Sequence, residues 1–153
     1  MITIPLIVYD FDGVLTDNRV WVNQDGVESV RCNRSDGWWI QQISQMGIEQ
    51  IILSTEKNPV VSQRARKLKI ESVQGVPDKR LALEEICRER GITPNEIIYV
   101  GNEMNDFGCF QIAGHTFAPQ DSHPQILSLA KHPIPVDGGE GIVRFIYDWL
   151  QNG

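Results

Sequence analysis

The sequence predicts an α/β fold: a doubly wound, Rossmann-like parallel sheet with a β-hairpin inserted after the first strand and no large cap domain. Three observations carry that prediction. Short apolar runs of strand length recur along the chain, amphipathic helical patterns lie between several of them, and one turn-rich segment breaks the alternation. Strands that alternate with helices imply parallel pairing, with helices covering both faces of the sheet.

The elements follow in chain order. Residues 4–9 form the first apolar run. Residues 20–22, the turn Asn23, Gln24, Asp25, Gly26 and residues 27–31 read as the hairpin. Residues 51–53 are the next core strand, and Asn58 with Pro59 makes an N-cap and N1 pair that opens a helix through about Lys69. A strand at 70–73 precedes a helix that Asp78 caps and Gly91 ends. Residues 97–100 and 116–117 supply further strands. In the last helix Ile142, Val143, Ile146, Tyr147 and Leu150 share one apolar stripe. No repeat, low-complexity tract or linker interrupts the chain, so residues 1–153 are expected to form a single domain.

Composition narrows the function classes. Hydrophobic residues make up 41% and charged residues 22%, as in an ordinary globular protein. A net charge of −6 argues against non-specific binding to nucleic acid or to anionic membranes. An anionic substrate must therefore be held by particular Lys and Arg residues. Cys32, Cys87 and Cys109 are odd in number and lack CxxC spacing, which predicts reduced thiols and a cytoplasmic protein. No leader pattern or membrane-length apolar run is expected.

In a doubly wound sheet, functional groups collect at the carboxyl ends of the strands. Asp10, Asp12 and Gly13 follow the first strand, and Ser54, Thr55, Glu56 and Lys57 follow the second core strand. The third leads into Gln74, Gly75, Val76, Pro77, Asp78 and Lys79, the fourth into Gly101, Asn102, Glu103, Met104, Asn105 and Asp106. Side chains two apart on a strand share a face, so Asp10 and Asp12 repel unless a cation or a chemical use compensates. The set suits phosphoryl transfer. Asp10 can attack phosphorus, Asp12 can give and take the proton of the leaving alcohol, Ser54 can donate to a phosphoryl oxygen, and Lys79 can neutralise its charge. Mg²⁺, a hard cation with oxygen ligands, would relieve the repulsion between the acids.

Each residue also has an ordinary role. Asp-x-Asp is common in Asx turns, Ser54 suits a turn, and a helix-start lysine is usually solvated. Glu56 and Lys57 fit an exposed pair, and Arg64 and Lys67 fit the polar face of a helix. His115, His123 and His132 have no ligand-like spacing, and Trp38 and Trp39 suit packing or subunit contacts. The four groups occurring in order is what favours chemistry.

That order resembles the haloacid dehalogenase-like phosphatase superfamily. DFDGVLTD matches its first motif, Ser54 and Lys79 stand at its second and third, and GNEMND resembles its fourth. The hairpin, SDGWW at 35–39, QGVPDK and GGEGIVR are similar to a narrower group: cap-less phosphatases of KDO 8-phosphate and of nine-carbon keto-sugar acid 9-phosphates. The phosphatase-like C-terminal domain of some CMP-sialate synthetases is similar too. The resemblance implies Mg²⁺ held by Asp10, Asp12 and the residue at 102. It also implies substrate contacts at Gly13, Thr55, Glu56, Arg64, Lys67 and Arg144, and a homotetramer in which a neighbouring subunit completes each site. KDO 8-phosphate phosphatases typically carry Arg where this chain has Glu56, so the expectation is a nine-carbon substrate, KDN or N-acetylneuraminate 9-phosphate. KDO 8-phosphate, or a catalytically weak scaffold, is the alternative. Asn102 stands where the family usually has a metal-binding Asp, which predicts weaker metal affinity unless Glu103 or Asp106 compensates.

Overall fold

The computed structural model describes residues 3–153, so residues 1 and 2 of the expected domain lie outside it. Six parallel strands form one sheet in the order β5-β4-β1-β6-β7-β8. They are β1 (Leu6–Tyr9), β4 (Glu49–Leu53), β5 (Glu71–Val73), β6 (Ile98–Val100), β7 (His115–Pro119) and β8 (His132–Ile134). The strand β2 (Thr16–Val22) and the strand β3 (Glu28–Cys32) form a separate antiparallel hairpin, with Val20 opposite Val30 and Val22 opposite Glu28. The predicted fold class is therefore borne out. From β1 the chain builds outward through β4 and β5, then returns to build β6, β7 and β8 on the other side. The order reverses at β1, and a crevice opens there at the carboxyl ends.

Helices α1 (Asp36–Gln45), α2 (Val60–Leu68) and α6 (Ile142–Asn152) cover one face; α3 (Lys79–Arg90), α4 (Phe107–Ile112) and α5 (Pro124–Leu129) cover the other. The strand period of two divides β1 between the two cores. Ile7 and Tyr9 pack with the first set of helices, Leu6 and Val8 with the second. All four are fully buried, as a central parallel strand requires.

Local signals explain most boundaries. Asp78 accepts the Leu81 N–H at 3.1 Å, and Gly91 ends α3 at φ +66°. The helix α2 starts one residue later than the pair reading implied: Pro59 occupies the cap position, and Asn58 Oδ1 accepts the Val60 N–H at 3.0 Å. The helices α1, α4 and α5 and the strand β8 were not anticipated. The helices α4 and α5 are too short to show a period, and β8 contains Pro133, which only an edge strand tolerates. The hairpin leaves Val20, Trp21, Val22 and Val27 exposed.

Candidate active site

The crevice at β1 collects its groups in sequence. The Asp10 N–H still bonds to β6, donating to Val100 O at 2.9 Å, so this carboxylate stands on the last rung of the sheet. Oδ1 of Asp10 accepts the Phe11 N–H at 2.8 Å and lies 2.7 Å from Lys79 Nζ. Lys79, first residue of α3 and 2% exposed, also donates to Asp106 Oδ1 at 2.9 Å. Asp106 in turn accepts from the Tyr99 hydroxyl and from the backbone N–H groups of Asn102 (2.9 Å) and Glu103 (3.1 Å). It ties the lysine to the loop after β6 and is itself fully buried. Sequence reasoning cast Asp106 only as a group that compensates for Asn102 at the metal. The structure makes it the organiser of Lys79.

After Asp10 the chain folds back over Phe11, whose carbonyl accepts the Leu15 N–H at 2.9 Å. Gly13 makes this possible: its φ is +86°, and a Cβ there would lie 1.9 Å from the Asn102 amide. The Asn102 side chain is thereby pressed between two oxygens. Its inward amide atom lies 2.8 Å from Asp10 Oδ2 and 3.0 Å from the Asp12 carbonyl oxygen. With the amide oxygen turned inward, three hard donors would meet there: a carboxylate, a backbone carbonyl and an amide. Hard oxygen donors of this kind are what Mg²⁺ takes, so these residues would hold it. The Asp12 oxygen that faces Asn102 is the main-chain carbonyl. Among the described residues no three His, Cys, Asp or Glu side chains form a cation site, because two of the three donors here are an amide and a main-chain oxygen.

Burial pushes the Asp10 carboxyl up to about 7, and Asp106 adds to this, while Lys79 and the Phe11 N–H pull it back. Burial also raises Asp12; Glu56 and Glu28 add to that, and Lys79 opposes it. For Lys79 burial disfavours the ammonium, but Asp10 and Asp106 outweigh it and the net direction is upward. The lysine therefore keeps its charge.

The remaining predicted residues divide. Ser54 is buried beside the crevice, and its Oγ accepts the Glu56 N–H at 3.0 Å, which leaves the hydroxyl proton to donate. Thr55 and Glu56 are exposed, and Glu56 Oε1 is fixed by the N–H groups of Lys57 (3.2 Å) and Asn58 (3.1 Å). A cavity of about 260 Å³ opens beside Asp12, between Glu28 of the hairpin and Glu56 with Asn58. Arg64 is half-buried and donates through Nη2 to Asn33 O at 2.9 Å, because α2 packs against α1 and the loop before it; its guanidinium is engaged by its own chain. Lys67 is exposed, so the two do not form one equivalent pair. Arg144 lies over the Trp39 ring, 5.7 Å from its centroid, and its Nε is 3.8 Å from Asp148 Oδ2 one turn further along α6. Glu103 accepts the Met104 N–H at 3.1 Å and caps its own turn, so it does not compensate at the cradle.

Comparison with known proteins adds to this geometry. Residues 40–146 match the family described as haloacid dehalogenase-like hydrolase. The 3-deoxy-D-manno-octulosonate 8-phosphate phosphatase of Escherichia coli is 30% identical over 148 residues, covering 96% of this chain and 79% of that protein. A Streptomyces avermitilis protein described as a HAD family hydrolase superposes with a TM-score of 0.92 at 44% identity, over 95% of this chain and 84% of that one. The corresponding octulosonate phosphatase of Moraxella catarrhalis, solved with magnesium, phosphate and KDO, gives a TM-score of 0.92 at 27% identity, over 97% of this chain and 86% of that one.

Proposed function

The chain belongs to the haloacid dehalogenase-like hydrolase family, and we propose that it is a phosphomonoesterase acting on a sugar-acid phosphate through an aspartyl-phosphate. The supporting observation is the Asp10 carboxylate, held on the last rung of β1 by Lys79 with Asp12 two residues on. Asp10 attacks phosphorus as the phosphate ester bond breaks, and Asp12 gives its proton to the departing sugar oxygen. The upward shift of Asp12 suits a proton donor. Water then attacks phosphorus, Asp12 recovers a proton from it, and inorganic phosphate leaves with the Asp10 carboxylate restored. Lys79 and the Ser54 hydroxyl stabilise charge on the phosphoryl oxygens throughout. Asp10, the Asp12 carbonyl and Asn102 would hold Mg²⁺, which supplies further charge neutralisation when bound.

For the substrate, the relatives named as octulosonate 8-phosphate phosphatases favour KDO 8-phosphate over the nine-carbon acids expected from Glu56. The fixed Glu56 carboxylate and the acidic cavity beside Asp12 suit the hydroxyls of a sugar, whichever chain length it has. We read residues 1–153 as one cap-less catalytic unit whose exposed hairpin associates into a tetramer, a neighbour covering each site. The test is phosphate release from KDO 8-phosphate, KDN 9-phosphate and N-acetylneuraminate 9-phosphate, with and without Mg²⁺. KDO 8-phosphate is expected to show the highest kcat/KM, and Asp10→Asn to abolish turnover. Equally negligible rates in wild type and variant would support a scaffold instead.

A further inference from the structure

Asn102 is 4% exposed, and both groups that face its inward amide atom are acceptors only: Asp10 Oδ2 at 2.8 Å and the Asp12 carbonyl at 3.0 Å. An amide can meet them in two ways. With its oxygen inward, three acceptors converge with no proton among them, which is the arrangement a hard cation needs. With its NH₂ inward, the same two contacts become hydrogen bonds, one of them to a carboxylate. Buried acceptors without a partner are costly, and water has little access here. An aspartate at 102 could not make the second arrangement while ionised.

The rest of the cradle is already satisfied. The other oxygen of Asp10 takes the Phe11 N–H and the Lys79 ammonium, and Lys79 is shared with Asp106. Gly13 lies against the outer amide atom with no Cβ to obstruct it, and that side presents only donors, so the NH₂-inward arrangement satisfies both ends of the amide. The amide therefore bridges the Asp10 carboxylate and the Asp12 main-chain carbonyl.

We infer that Asn102 is a latch: in the metal-free protein its NH₂ bridges Asp10 and the Asp12 carbonyl and keeps the nucleophile in place, and a divalent cation enters only as the amide turns end for end. The chain thus holds its catalytic geometry without metal, at the cost of two hydrogen bonds that the cation must displace. This rests on the reading that the cradle takes Mg²⁺. It is tested without substrate, so absence of phosphatase activity leaves it standing, and its failure leaves the proposed reaction standing.

The experiment is side-chain amide NMR of the chelator-treated protein, with Asn102→Asp and Asn102→Ala supplying the assignment. The latch predicts one slowly exchanging NH₂ pair present in wild type and missing from both variants. Titration with MgCl₂ should shift that pair and speed its exchange. Thermal unfolding should show Asn102→Asp less stable than wild type in chelator and more strongly stabilised by Mg²⁺, with Mg²⁺ binding tightened by about tenfold or more. A pair that exchanges like a solvent-exposed amide, or one that ignores Mg²⁺, overturns the inference. So does an Asn102→Asp protein as stable as wild type in chelator; if that variant does not fold, the wild-type spectra and Asn102→Ala decide.

Discussion

Two buried charges dominate the chemistry and the stability of individual residues. Lys79 sits between Asp10 and Asp106 with almost no solvent contact. Removing it leaves two carboxylates facing each other out of water, so Lys79→Met is expected to lose about 3–5 kcal/mol near pH 8, read by urea unfolding. Adding Asp106→Asn should recover part of the stability and none of the activity. Asp36, at the start of α1, is 2% exposed, and burial pushes its carboxyl up to about 7 against the pull of Arg64. Between about pH 4 and that value the folded protein holds a proton that the unfolded chain has released. Its contribution to stability therefore falls as pH rises through that window, and levels off above it. Asp36→Asn, permanently neutral, should gain stability relative to wild type from about pH 5 to about pH 8. A difference constant with pH would refute the assignment.

Elements, rather than residues, deliver the groups to the site. The helix α3 begins one residue after Asp78, so the cap decides where Lys79 lies. Asp78→Ala should cost about 1 kcal/mol, and Asp78→Asn should restore most of it. Because Lys79 acts on the transferring group, the alanine variant should lower kcat more than it raises KM. The loop before α6 docks on the turn after β1: the Gly139 N–H donates to Val14 O at 3.0 Å. A Cβ on Gly138 would fall 2.0 Å from Gly13 O. Gly138→Ala is thus expected to displace the first loop, lowering both Tm and activity, although residue 138 is far from residue 10 in sequence.

At the scale of the whole molecule, the reversal of strand order at β1 sets the catalytic loops around one crevice. The hairpin stands outside the sheet and bears Trp21 at 66% exposure beside Val20, Val22 and Val27. Such an apolar patch on a chain with net charge −6 is expected to be covered by other copies. Trp21→Glu should shift the protein to a smaller species in light scattering after size exclusion, with its circular dichroism unchanged. Activity should fall with the assembly, since a neighbour is proposed to cover the crevice.

The sequence by itself determined the fold class, every strand of the sheet except β8, the hairpin and the order of the loops, because apolar period, turn residues and caps are local properties. Asp10, Asp12, Ser54 and Lys79 were legible for the same reason: each follows a strand end, and strand ends are readable. Tertiary structure alone decided how these residues divide the work. Asp106 organises Lys79 only because α3 and the loop after β6 approach one another, and nothing within either segment announces it. Within the chain, packing places Arg64 against Asn33 O and Arg144 over the Trp39 ring, contacts that no local pattern announces. Asp12 offers its carbonyl because Gly13 turns the chain, and Asn102 lies against it because the missing Cβ leaves room. Local patterns set which groups arrive at the crevice; long-range contacts set which way each one faces.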